Sequence, residues 1–135
     1  MILNFSFVVP GEPVGQGSMK HIGGGRMIAS NDKKLKIWRA AIIDAVHQRF
    51  LAIGEIPKFE QALKLEVQFC IERPKTVKRE YPTTPYDADK LIRAVGDALT
   101  LSGVISDDAI ITDIIASKRY GDGCPYGAHI TLSVI

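Results

Sequence analysis

Residues 62–72 read ALKLEVQFCIE, and their alternation restricts the fold more than any other stretch of the chain. Leu63, Leu65, Val67, Phe69 and Ile71 fall on one side of an extended segment, Lys64, Glu66, Gln68 and Glu72 on the other. A period of two over this length is a half-buried strand, with one wet face and one face that needs a layer packed on it. The covering layer is available in the sequence. Leu35, Trp38, Ile42, Ala45, Val46 and Phe50 keep a helical period behind a possible cap at Ser30 or Asn31, and Gly54 through Pro57 end that helix. A second helix is predicted over about 89–101, burying Leu91, Ile92, Val95, Ala98 and Leu99, with Ser102-Gly103 as its stop.

The remaining segments fit around these. The chain opens with a strand in which Leu3, Phe5, Phe7 and Val9 alternate with Ile2, Asn4, Ser6 and Val8, stopped by Pro10-Gly11. Residues 11–29 are rich in glycine and read as a long mobile loop with room for a short hairpin. A polar, proline-marked loop (RPKTVKREYPTTPY) leads to Asp87, and Asp107-Asp108 turn into the β-branched run AIITDIIAS. HITLSVI closes the chain as a last strand, able to pair with the run before it as a hairpin. The order is β-loop-α-β-α-β-β. The expected fold is α+β: a single domain over residues 1–135, a mixed sheet of about four strands with two helices packed on it. At 135 residues the chain can bury a core of its own.

Several classes of function drop out. Cys70 and Cys124 have no neighbouring Cys/His spacing, which argues against zinc and against a disulfide framework and fits a reducing cytoplasm. MILNFSFVVP lacks the basic start of a signal peptide, and no apolar run is long enough to span a bilayer. No Ser, His or Cys stands in a nucleophile motif; His21, His47 and His129 are scattered and read as structural or exposed. The net charge of +2 conceals an asymmetry: residues 1–81 carry 13 Lys/Arg against 8 Asp/Glu, residues 82–135 carry 4 against 7. A basic body beside an acidic cluster suits a polyanion held near a cation-binding centre, although scattered surface lysines produce such imbalances as well.

The acidic cluster begins at PYDADKLIR, residues 85–93. Asp87 and Asp89 at a helix start can be explained as caps, since both the free N–H groups and the helix dipole favour carboxylates there. Capping accounts for one aspartate better than for two, and leaves Asp107-Asp108 unexplained. Should the two pairs meet, their mutual repulsion calls for a cation, and Mg²⁺ is the one that takes one or two carboxylates plus substrate phosphates. Arg93, four residues after Asp89, either stabilises charge on a phosphate or pairs with Asp89 within the helix. An EF-hand fares worse, because its loop needs a third ligand, a glycine at the sixth position and a glutamate at the twelfth, whereas Asp87 is followed six positions on by Arg93 and has no such glycine.

DADKLIRAVGDALTLSGVISDDAIITDIIASKRYG resembles the signature region of the RusA family of Holliday-junction resolvases, common in phages and prophages. The resemblance rests on a D-x-D at a helix start, a basic residue four positions later, a D-A-L helix end and a D-D turn before a strand; GEPVGQGSMK is similar to the family's opening. It implies catalytic and metal-binding roles for Asp87, Asp89 and Asp108, with Arg93 at the family's catalytic lysine position and Asp107 as a neighbour. It implies a homodimer that nicks two symmetric strands of four-way junction DNA with Mg²⁺ (Mn²⁺ able to substitute), in recombination and repair, in the cytoplasm, without membrane or small-molecule cofactor. Lys20, Arg26, Arg73, Lys75, Lys78, Arg79, Lys90, Lys118 and Arg119 are the expected DNA-backbone contacts. Two rivals stand beside this reading. One is a non-catalytic DNA-binding protein of the same fold; the other is a metal-dependent phosphohydrolase acting on small molecules.

Overall fold

In a computed structural model of the chain, which describes residues 3–17, 19–22, 26–29, 32–55, 57–122 and 126–135, the alternating segment 62–72 becomes the central strand. The elements are β1 (Asn4–Pro10), β2 (Met19–Ile22), β3 (Arg26–Ala29), α1 (Asp32–Ile53), β4 (Leu63–Ile71), α2 (Ala88–Ser102), β5 (Ile111–Tyr120) and β6 (Gly127–Val134), with one 3₁₀ turn, Asp108–Ile110, ahead of β5. Four strands form a mixed sheet in the order β1-β6-β4-β5, and β2-β3 make a separate hairpin.

The pattern of apolar residues explains the layering. Leu63, Leu65, Val67 and Phe69 of β4, Phe5, Phe7 and Val9 of β1, and Ala128, Ile130 and Leu132 of β6 are buried on one face. Against them lie Leu35, Trp38, Ile42 and Val46 of α1 and Leu91, Ala94, Val95, Ala98 and Leu99 of α2, in one continuous core. Each large side chain so enclosed contributes roughly 1.5–3 kcal/mol of burial. No helix among the described residues is long and apolar enough to cross a membrane.

The α+β expectation and the element order hold, while two local expectations fail. β5 and β6 do not form a hairpin: β4 lies between them, parallel to β5 and antiparallel to β6. The reason is that β4 buries residues along its whole length and takes a neighbour on each edge. β5 is the outer strand, with Thr112 to Ile115 exposed in succession. A parallel β4-β5 pair needs a crossover, and α2 supplies it. The second correction concerns residues 11–29. They do contain the short hairpin, but Pro13, Val14 and Gly15 are buried, so this part of the segment packs as core rather than moving as a loop. On the far side, Gly127 opens β6 at φ 142° opposite Pro10, where a β-carbon would meet the Val9 carbonyl oxygen at 1.9 Å. Only glycine allows that approach.

Candidate nuclease site

α2 is the element that organises the acidic residues. Asp87 is its N-cap by position, with extended backbone (φ −66°, ψ 147°), and its carbonyl accepts from the N–H groups of Lys90 and Leu91 at 3.1 Å. Its carboxylate makes no capping hydrogen bond, and both Asp87 and Asp89 are exposed. The capping explanation therefore does not describe these side chains. Nor does the intrahelical pair: Asp89 lies 3.3 Å from Lys90 Nζ, while Arg93 is exposed with no ion pair or hydrogen bond among the described residues.

Asp107 and Asp108 sit at the other end of the crossover. Asp107 caps the 3₁₀ turn by position but not with its side chain. Asp108 faces the middle of α2, where a β-carbon on Gly96 would lie 3.6 Å from Asp108 Cβ. Asp89 and Gly96 are seven residues apart, nearly two full turns, so they share a helix face separated by about 10 Å along the axis. Arg93 lies between them on that face. Burial against the helix pushes the Asp108 carboxyl above its ordinary pKa; a hydrogen bond with Asp107, the charge of Asp107 and the charge of Asp97 push the same way. Asp108 as a whole residue remains exposed, so this is a shielded carboxyl edge and not a buried acid.

Asp89 and Asp108 thus share one face of α2 without meeting, with Asp87 at the helix start and Asp107 next to Asp108. Among the described residues, no three Asp, Glu, His or Cys side chains stand close enough to hold an ion by themselves. The donor chemistry still fits Mg²⁺ of the kind that retains waters and takes one or two carboxylates plus substrate oxygens. Asp87 and Asp89 offer hard oxygen donors that no cap occupies.

The cations expected to touch DNA divide into distinct groups. Lys75 and Lys78 are exposed and unpaired among the described residues. Arg73 is engaged: its Nη2 lies 2.8 Å from Asp122, its Nη1 donates to the carbonyls of Val77 and Arg79, and its guanidinium sits 4.2 Å above the Tyr120 ring. Asp122 holds the Arg73 pKa up through a hydrogen bond, and Arg73 holds that of Asp122 down in return. Arg79 donates to the Tyr120 hydroxyl at 3.0 Å, and Arg119 stacks 5.0 Å over Tyr81. Lys118 donates to the carbonyls of Thr84 and Tyr86, both at 2.9 Å. Lys90 is paired with Asp89. The backbones of Lys20 and Arg26 belong to β2 and β3, and their side chains lie outside the described residues, as does Cys124. A groove of about 640 Å³ runs between residues 81–88 and 116–119, with Asp87, Lys118 and Arg119 on its walls.

Three features had no foothold in the sequence pattern. Gly15 packs where a β-carbon would stand 2.9 Å from Tyr86 Cβ and 3.0 Å from Lys90 Cβ, so the N-terminal segment docks on the first turn of α2. Gln16 N–H donates to the Lys90 carbonyl at 2.9 Å, and the Gln16 amide donates to Asp97 while accepting from Arg39 at 3.2 Å. This bridge joins the N-terminal segment, α1 and α2. Its members are 81 and 23 residues apart from Gln16, a separation that no local periodicity encodes. Tyr120 and Asp122, which receive the arginines, are the third feature.

Among curated proteins, none matches the chain. The family model for endodeoxyribonuclease RusA matches residues 10–133, a span that begins at the last residue of β1 and takes in the Gly15 strap, the loop clasped by Arg73, both acidic pairs and strands β2 to β5, with β6 up to its penultimate residue. With nearly its whole length so matched, the chain belongs to the RusA endodeoxyribonuclease family.

Proposed function

We propose that this protein is a Mg²⁺-dependent, structure-selective endodeoxyribonuclease that resolves four-way DNA junctions by paired symmetric nicks as a cytoplasmic homodimer. The observation that carries the reading is the state of Asp87 and Asp89: two exposed carboxylates at a helix start, neither spent on capping nor on Arg93. Family membership supplies the nucleic-acid context. In this reading Asp87 and Asp89 hold the ion, and Asp108 serves the same face from two turns along the helix. A bound Mg²⁺ (Mn²⁺ able to substitute) supplies an acidified water and neutralises charge on the phosphodiester.

The chain's own residues account for the remaining chemistry. Arg93 is exposed and has no competing partner among the described residues, so its guanidinium is available to an equatorial phosphate oxygen as charge builds there. It cannot act as a base, because a guanidinium is not deprotonated in proteins. A base, where the reaction needs one, comes from a carboxylate. A two-fold dimer matches a two-fold junction, so two equivalent sites can address two strands in one encounter.

The test is cleavage of four-way junctions and linear duplex by purified protein, with Mg²⁺ or with chelator. We expect symmetric nicks confined to the junction, absent with chelator, and lowered by Asp87→Asn at least about 10²-fold, a loss that even outer-shell changes around metals reach. Tight junction binding without any cleavage by the unmutated protein would leave the non-catalytic DNA-binding alternative standing instead. Cleavage of nucleotides but not DNA would point to the small-molecule phosphohydrolase.

A further inference from the structure

The segment joining β4 to α2, residues 72–86, contains neither helix nor strand, yet it determines where α2 begins and so where Asp87 stands. Its backbone hydrogen bonds are internal, from Val77 N–H to Pro74 and from Thr83 N–H to Tyr81, both 3.0 Å; among the described residues none joins it to the sheet. Side chains do that instead. At the end near β4, Arg73 and Arg79 clasp Tyr120 and Asp122. At the end next to Asp87, Lys118 is the one cation among the described residues that hydrogen-bonds to the segment, beside Arg119 stacked on Tyr81. Lys118 Nζ donates at 2.9 Å to the Thr84 carbonyl and at 2.9 Å to the Tyr86 carbonyl, and Tyr86 is the residue immediately before Asp87.

We propose that Lys118 is a positioning residue of the nuclease site, holding the peptide ahead of Asp87 through two main-chain carbonyls, and is not a DNA-phosphate contact. The inference rests on the reading of Asp87 as a site carboxylate. Lys118 stands on β5 opposite Phe69 of β4, so its stem rises from a paired strand on the core side of the sheet. A site residue held from a rigid element is oriented more closely than one held by its own loop. An ammonium has three donors, and two of them are already committed to carbonyls in charge-assisted bonds. The Asp87 carboxylate does not fix the helix start itself, because it makes no capping bond. A phosphate contact that drew on more than the one remaining donor would release these carbonyls and with them the support of Asp87.

Three measurements on Lys118→Met and Lys118→Arg decide between positioning and DNA contact. The first is amide hydrogen exchange over residues 82–90 in the free protein, which needs neither metal nor DNA. The second is the dependence of junction affinity on salt, and the third is the separate kcat and KM for junction cleavage. Positioning predicts faster exchange at 84–89 in Lys118→Met, an unchanged salt slope, an unchanged KM and a kcat lowered roughly 10²-fold, the size expected for a misplacement near 1 Å. Lys118→Arg, which can still donate to both carbonyls, restores exchange protection and most of kcat. A slope reduced by about 0.9, the value of one phosphate no longer neutralised, with kcat intact, would assign Lys118 to DNA and overturn the proposal. Unchanged exchange in Lys118→Met would overturn it as well. Failure of the unmutated protein to cleave any junction defeats the nuclease reading separately, since the exchange measurement still judges what Lys118 holds.

Discussion

Asp108 carries a cost that its position against α2 makes visible. Its carboxyl is pushed above the ordinary value by burial first, then by Asp107 and Asp97. A carboxyl whose folded pKa exceeds its unfolded one binds more protons in the folded state between the two values, so stability falls as pH rises through that window and the penalty is complete above it. Asp108→Asn is therefore expected to raise the unfolding midpoint at pH 7 in metal-free buffer. The gain should vanish near pH 3.5, below the ordinary Asp value of about 3.9. The residue is exposed, so solvent screening keeps the gain below about 1 kcal/mol. Urea denaturation of both proteins at the two pH values checks it; an equal or lower midpoint for the variant at pH 7 would remove the argument. Arg93 illustrates the opposite condition. It has no partner among the described residues, although Asp89 stands four residues before it, because Lys90 takes that carboxylate. The sequence permits either pairing, and only the geometry of the first turn distinguishes them.

Elements are legible in the sequence wherever burial follows a short period. β4 and α2 appear where alternation and helical spacing put them, because their apolar faces meet one core. The pairing of β5 is not legible. Adjacency favours a hairpin with β6, yet the partner is chosen by β4, which buries Leu63 to Phe69 and needs a strand on each side. The exposed run Thr112–Ile115 is the mark of an outer strand, but its β-branched residues look alike for edge and centre. The N-terminal segment misleads for a different reason. Its glycines suggest mobility, whereas Gly15 is small so that the segment can lie against Tyr86 and Lys90. Gly15→Ala should then move the strap off α2, because the close approaches at 2.9 and 3.0 Å involve β-carbons and a ring atom rather than flexible ends. We expect a destabilisation of about 1–3 kcal/mol, the range for overpacking, together with weaker junction cleavage. Thermal unfolding measures the first and nicking assays the second. Unfolding at the wild-type midpoint would show that the strap is not packed as described.

At the scale of the molecule, the excess of basic residues in the first 81 positions overstates the cationic surface available to DNA. Arg73 is neutralised by Asp122, and its other donors are used on carbonyls. Arg79 and Lys118 are tied to Tyr120 and to the carbonyls ahead of Asp87. Lys75 and Lys78 lie in the same loop, exposed and without partners among the described residues, so they can approach phosphates without breaking a bond. A loop clasped at its base by arginines and carrying free lysines separates two tasks that sequence grouping merges. The consequence is measurable as a salt dependence. Replacing Lys75 and Lys78 together by glutamine should weaken junction binding and lower the slope of log K against log salt by about 0.9 for each phosphate no longer neutralised, while leaving the unfolding midpoint unchanged. Arg73→Gln should do the reverse, lowering the midpoint and preserving the slope, because the charge it removes was already cancelled by Asp122. Equal slopes for the unmutated protein and the double lysine variant would mean that neither lysine touches DNA, and that the backbone is gripped by cations elsewhere on the fold.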